Sequence, residues 1–168
     1  KMNADEYFLL TLHRQENVDN KEKLKKIIEG TDKIHKQFGI PFIFPIHPRT
    51  KKRFEEFNIA IPSYIKIIEP KGFLEFLSLE LKAKLILTDS GGVQEEACIL
   101  KIPCITLREN TERPETVQVG SNKLVGTDPI RILEGVKEMI GIKRNWINPF
   151  GEGNTAKKII EHIKNENL

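Results

Sequence analysis

The chain is short of the residue groupings that announce most kinds of chemistry. It has 2 cysteines among 168 residues and no CxxC pair. Neither a disulfide framework nor a thiol-based redox or zinc site is in prospect. Cys98 falls in a predicted helix and Cys104 in a predicted strand, where both are expected as reduced, buried, small apolar residues. A nucleophilic thiol would want a histidine partner, and the sequence places none beside either. No group of His, Cys, Asp and Glu has metal-ligand spacing. GxxxxGK[ST], GxSxG and GxGxxG are all absent, which removes the P-loop, the hydrolase elbow and the dinucleotide fingerprint. No apolar run approaches the roughly 20 residues of a membrane helix. Charge of one sign is lacking too. The 27 Lys and Arg stand against 24 Asp and Glu, a net +3 spread along the chain. That is no footprint for nucleic acid. The expectation is a cytoplasmic protein with no nucleic-acid or membrane partner, no metal and no cofactor. The opening Lys1-Met2-Asn3 carries no signal-peptide pattern and leads almost at once into a strand, as expected of a chain that is part of something longer.

What is present reads as one α/β domain. Hydrophobic residues make up 39% and charged residues 30%, enough for a substantial core at this length. Short apolar runs at 7–11, 42–46, 64–68, 85–88, 102–107 and 123–126 read as strands. Helical patterns alternate with them. Asn20 is a candidate cap for a helix striped with Leu24, Ile27, Ile28, Ile34 and Phe38, and Gly39 closes it. A charged helix spans about 49–57. Phe73, Leu74, Phe76, Leu77 and Leu81 give the next helix its expected apolar face. Asp128-Pro129 opens another, and an amphipathic helix with Ile159, Ile160 and Ile163 follows Asn154. Pro45 costs the second strand a donor and argues against a fully central place. The alternation predicts a Rossmann-like parallel sheet with helices on both faces and right-handed crossovers. Polar clusters at 13–17, 47–49, 89–92 and 108–114 all follow strands, so they should converge along one edge of the sheet.

The stretch Leu85-Ile-Leu-Thr-Asp-Ser-Gly-Gly-Val-Gln-Glu-Glu-Ala97 organises the rest. It has the grammar of a strand, a tight turn and a helix start, where free N–H groups and the helix dipole suit a phosphate. Gly91 and Gly92 leave the approach open, and Ser90 adds a hydroxyl. Glu95 and Glu96 would repel phosphate, but a carboxylate one turn in can accept bonds from a ribose diol. An ordinary tight turn with first-turn acids accounts for the stretch about as well. His13 is a candidate acid, base or phosphate donor, with Arg14 and Glu16 beside it. His47 is weaker, because Pro48 marks a turn in which the ring can merely pack. Arg108 and Arg113 can clamp a diphosphate. A solvated loop paired with Glu109, Glu112 and Glu115 is the plainer reading. Phe76 can stack on a base, or simply belong to a core helix. Lys123, His35 and His162 read as surface residues.

Four stretches taken together resemble the non-hydrolysing UDP-N-acetylglucosamine 2-epimerases. They are Thr11-Leu-His-Arg-Gln-Glu-Asn17, Ile46-His-Pro48, Leu87-Thr-Asp-Ser-Gly-Gly-Val-Gln-Glu-Glu-Ala97, and Leu107-Arg-Glu-Asn-Thr-Glu-Arg-Pro-Glu115 with the later Lys123-Leu-Val-Gly126. Order and spacing match over nearly the whole chain. The resemblance implies one half, the C-terminal one, of a GT-B-type two-domain enzyme, and a homodimer. It implies interconversion of UDP-GlcNAc and UDP-ManNAc by loss of the C2 proton, elimination of UDP and re-addition, without metal or nicotinamide. It implies that Ser90, Gly91 and Gly92 hold the diphosphate, Glu96 the ribose, Phe76 the uracil side and Arg113 the UDP portion, with His13 assisting the departure of UDP. Arg14 and His47 match positions that contact a second, activating UDP-GlcNAc in bacterial members. Lys71 stands where an uncharged polar residue is expected. The carboxylates that move the C2 proton are expected in an N-terminal half outside this chain, which alone should bind UDP weakly and not turn over. Three rivals remain: a hydrolysing epimerase releasing ManNAc and UDP, a GT-B glycosyltransferase, and a non-enzymatic nucleotide-binding module.

Overall fold

A computed structural model describes residues 7–165. Six strands form one parallel sheet: β1 (Phe8–Thr11), β2 (Phe42–Pro45), β3 (Ile65–Ile68), β4 (Leu85–Thr88), β5 (Cys104–Thr106) and β6 (Asn122–Leu124). Their spatial order is β3-β2-β1-β4-β5-β6, and every pair is parallel. This is the doubly wound order, in which the chain reverses direction across the sheet between β1 and β4. β1 and β4 are buried at every position, which is why both read as unbroken apolar runs rather than alternating ones. β2 is internal, contrary to the expectation set by Pro45. The proline is tolerated because it is the last residue of the strand and half-buried.

Helices cover both faces. On one side α2 (Lys21–Phe38), α3 (Pro48–Glu56) and α7 (Pro129–Met139) bury Leu24, Ile27, Ile34, Phe54, Ile132 and Val136 against Phe8, Leu10, Phe42 and Phe44. On the other, α5 (Gly91–Ile99) places Val93 and Ala97 against Leu9, Ile43 and Ile86. The caps are those anticipated. Asn20 Oδ1 accepts from the Lys23 N–H at 3.0 Å, Asp128 accepts from Ile130 and Arg131, and Gly39 closes α2 at φ 69°. α2 and α7 approach so closely at Gly30 that an added Cβ would lie 2.9–3.1 Å from three side-chain atoms of Ile132. Gly30→Val should therefore lower stability by about 2 kcal/mol, the range of core overpacking. A denaturant midpoint equal to wild type would show that the two helices can separate.

Three elements depart from expectation. The loops 13–20 and 108–120 each contain a single helical turn, α1 (Gln15–Val18) and α6 (Pro114–Gln118). His35 is half-buried rather than free at the surface: it stacks on Tyr64 at 4.3 Å and its ring meets the Ile40 carbonyl at 3.0 Å. The largest departure is α4 (Phe73–Lys82). Phe73, Leu74 and Leu81 face outward, and Glu80 is the residue of α4 that is buried. Phe76 and Leu79 make the apolar contact with the sheet. The final helix, α8 (Thr155–Asn165), carries Ile159, Ile160 and Ile163 as expected, but buries none of its residues among those described.

Candidate active-site half at the topological switch

The strands that flank the reversal end side by side. Thr11 pairs in register with Thr88, and their hydroxyls bond at 2.6 Å. The next residues of both strands therefore face one another: His13 beyond β1, Asp89 and Ser90 beyond β4. The loop after β1 turns on Asp89. Its carboxylate, fully buried, accepts the backbone N–H groups of His13 and Arg14 at 3.1 Å each and the Asn17 side-chain amide at 3.3 Å. The same carboxylate lies 3.2 Å from His13 Nδ1. An Nδ1–H donated to Asp89 fixes the ring's tautomer and turn, leaving Nε2 as the edge available to a ligand. Asp89 is not among the candidates that the sequence singles out. Its position after β4 was visible, its partner 76 residues away was not.

Ser90 is the N-cap of α5. Its hydroxyl accepts from the Val93 N–H at 3.5 Å, and its own N–H is held by Thr88 Oγ1 at 2.9 Å. The helix then opens with Gly91 and Gly92 in ordinary helical backbone, neither at positive φ. A Cβ on Gly91 would come no closer than 3.7 Å to any neighbour, and one on Gly92 would meet only Ser90 Oγ at 4.0 Å. Neither backbone strain nor packing explains the two glycines. At Gly92, which is exposed, they leave the approach to the helix N-terminus clear, whereas Gly91 is buried beside Arg14 and Glu112.

That end of the sheet holds a cavity of about 200 Å³ lined by Thr11, Leu12, His13, Pro45, His47, Pro70, Lys71, Phe76, Ser90 and Val93. The sequence candidates His13, His47, Phe76 and Ser90 are thus brought together from four chain segments, with Lys71 beside them. His47 also caps α3, its Nδ1 accepting from the Arg49 N–H at 3.2 Å, so it does more than pack. Arg14 stands off to one side, its guanidinium 3.7 Å from Glu112 and next to Gly91.

Of the remaining candidates, Glu96 lies on α5, and Arg113 and Arg108 belong to the segment after β5. Arg113 pairs with Glu95. Arg108 is not a solvated clamp. It is 8% exposed and bridges Glu16 at 2.6 Å and Glu112 at 2.7 Å, tying the β5 loop to α1. The Arg108 guanidinium, with help from Arg14, holds the Glu112 carboxyl down to about 2. Glu109, expected as its partner, pairs with Arg131 instead. Gln94, Thr111, Thr116 and Asn122 form a mostly buried hydrogen-bonded chain that anchors the Arg113 loop to α5. Glu96, next to Glu95 on α5, meets Glu80 of α4. Burial, and then the neighbouring Glu96, hold the Glu80 carboxyl well above the usual carboxylate range. Glu96 is raised as well, chiefly by burial. A carboxyl neutral in the fold but ionised when unfolded costs stability as pH rises above its unfolded value. Wild type should therefore lose stability relative to Glu80→Gln from about pH 5 upward. Parallel denaturation curves between pH 5 and 8 check this, and a difference that does not change with pH would place a charged Glu80 in the fold.

Among the described residues no group of three or more His, Cys, Asp and Glu is placed to hold a metal ion, and no helix is long and apolar enough to cross a membrane. Both cysteines are free and buried.

A parallel sheet in this order, with its polar loops gathered at the reversal, defines a Rossmann-like α/β domain of the kind that makes up half of a GT-B protein. The chain belongs to the UDP-N-acetylglucosamine 2-epimerase family, whose sequence pattern matches residues 1–164. It is 61% identical over 160 residues to a UDP-N-acetylglucosamine 2-epimerase of Methanocaldococcus jannaschii, a match over 93% of this chain and 44% of that protein. A crystal structure of the M. jannaschii enzyme in complex with UDP-GlcNAc and UDP superposes with a TM-score of 0.89 at 59% identity, covering 96% of this chain and 46% of that one. A UDP-2,3-diacetamido-2,3-dideoxy-D-glucuronate 2-epimerase of Pseudomonas aeruginosa is 36% identical over 95% of this chain and 44% of its own length. The chain thus spans less than half the length of these relatives.

Proposed function

We propose that this chain is the UDP-binding half of an enzyme that interconverts UDP-GlcNAc and UDP-ManNAc without releasing the free sugar. The observation that carries the proposal is the Ser90-capped start of α5, opened by two glycines with no structural reason to be glycine, beside a histidine held by a buried carboxylate. N–H groups at a helix start and an imidazole edge suit the charge that grows on a departing diphosphate. In the reaction the C2–H bond breaks and its proton passes to a base of a second, N-terminal domain. The C1–O bond breaks, a C1=C2 double bond forms, and UDP leaves with its negative charge met by His13 and the α5 N-terminus. Protonation at C2 from the other face and return of UDP to C1 complete the epimerisation. Gly91 and Gly92 admit the diphosphate, Glu96 accepts from the ribose diol, Phe76 lies at the uracil and Arg113 supports the UDP portion. We assign Arg14 and His47 to a second, regulatory UDP-GlcNAc, and a homodimer as the working assembly. The two relatives named above differ in their sugars and share UDP and the 2-epimerisation in their names. A half that recognises UDP suits both.

Calorimetric titration of the chain with UDP, with GDP and UMP as controls, tests the half-site. Weak binding that prefers UDP, and that falls by about tenfold in Glu96→Ala, is expected from the loss of buried hydroxyl partners. Equal affinity for UDP and GDP would discard the uracil assignment. Product analysis of the protein together with its N-terminal domain separates the close rival: UDP-ManNAc supports the epimerase, whereas free ManNAc and UDP would make it a hydrolase.

A further inference from the structure

Glu80 is misplaced for a residue whose task is stability. It occupies the last turn of α4, fully buried, while Phe73, Leu74 and Leu81 of the same helix face outward. Neither of its carboxyl oxygens receives a bond from an N–H or hydroxyl group among the described residues. Among the described residues its carboxyl meets that of Glu96, half-buried on α5. The other acid in this turn, Glu95, is engaged by Arg113. The thiol of Cys104 on β5 is nearby, and burial pushes it upward, keeping it neutral. Two carboxyls in contact without a cation cannot both be ionised. An apolar side chain of similar volume would be no worse for the fold, since an unpaired buried carboxyl is a liability. The arrangement makes sense only if the pair does something as a pair.

We propose that Glu80, buried behind the nucleotide site with no other partner for its carboxyl among the described residues, donates a hydrogen bond to Glu96 and so sets the Glu96 carboxylate in the orientation that accepts the ribose diol. This rests on the assignment of Glu96 to the ribose. A neutral carboxyl has one donor, and a carboxylate has room for several acceptor bonds. One lone pair of Glu96 is taken from behind, its rotamer is fixed, and the remaining lone pairs face the diol. Glu80 touches no ligand; it is a positioning residue. It also keeps the site to one negative charge, where two would repel the diphosphate bound one turn away.

The test compares UDP with 2′,3′-dideoxy-UDP, which lacks both hydroxyls, as ligands of wild type, Glu96→Ala, Glu80→Gln and Glu80→Met. Wild type should prefer UDP by about tenfold or more, and Glu96→Ala should erase the preference. Glu80→Met, which has no donor, should erase most of it. Glu80→Gln, whose amide still donates, should keep it within about threefold. A general loosening of the fold would weaken both ligands alike and leave the ratio unmoved. If Glu96→Ala removes the preference and Glu80→Met does not, Glu80 has no positioning role and the ribose assignment stands. If Glu96→Ala leaves it intact, the ribose assignment falls and this inference with it. An independent readout does not depend on the ligand or on the Met variant. The infrared spectrum at neutral pH should contain the carbonyl band of a protonated carboxylic acid that Glu80→Gln lacks. Identical spectra in that region would overturn the proposal.

Discussion

Asp89→Ala should destabilise the fold by about 3 kcal/mol, and Asp89→Asn should lower the turnover of the complete enzyme by more than about a hundredfold while costing less stability. The first figure follows from what the carboxylate holds. Two backbone N–H groups, of His13 and Arg14, and the amide of the buried Asn17 all donate to it at 3.1–3.3 Å. The side chain is itself fully buried, so alanine removes the acceptor of several donors at once. Asparagine restores one acceptor and much of the shape. It cannot both accept from those donors and accept from His13 Nδ1, because its second position is an NH₂ group. The ring is then free to turn or to take the other tautomer, and Nε2 loses the fixed direction that the proposed mechanism requires of it. Denaturant titration gives the first quantity and a coupled turnover assay the second. Turnover within about tenfold of wild type in a folded Asp89→Asn would show that His13 does not depend on Asp89 for its role.

The same pair shows where sequence reasoning stops. The β4–α5 junction was legible residue by residue: an apolar run, a serine cap and two glycines occur in adjacent positions, and local chemistry dictates their arrangement. His13 beyond β1 was legible for the same reason. That Asp89 and His13 touch was not, because it depends on β1 lying beside β4 rather than beside β5, a choice the alternation of strands and helices leaves open. Glu80 was hidden by a related limit. The sequence 73–82 is apolar at Phe73, Leu74, Phe76, Leu77, Leu79 and Leu81, so its period is compatible with more than one buried face. An acid at position 80 is counted as solvent-facing by default. The face that is buried is set by the fit of Phe76 and Leu79 to the sheet. The one-turn helices α1 and α6 are 4 and 5 residues long. That is too short for a periodic signal, and they exist because tertiary contacts such as Arg108 to Glu16 and Glu112 hold them. For Arg108 the sequence offers a ligand clamp or a solvated arginine. The structure gives a third answer, a buried bridge between two loops that meet only after the sheet has formed.

Gly92→Ala should make the protein more stable and a poorer nucleotide binder. Glycine within a helix costs up to about 1 kcal/mol relative to alanine, because it loses more backbone freedom on folding. Gly92 is exposed, has helical backbone, and would place a Cβ 4.0 Å from Ser90 Oγ with no other neighbour nearby. No strain opposes the substitution, so the midpoint of thermal unfolding should rise by a few degrees at most. The affinity for UDP should move the other way, by about tenfold or more, because a methyl group would stand where the diphosphate must approach the N–H groups at the start of α5. A general effect on folding cannot produce opposite signs in the two measurements. Gly30 provides the contrast: there the added carbon meets Ile132 and the substitution should harm stability without reaching the nucleotide. Should Gly92→Ala bind UDP as tightly as wild type, the diphosphate does not lie over α5, and the glycine pair would be without the one explanation that its surroundings leave.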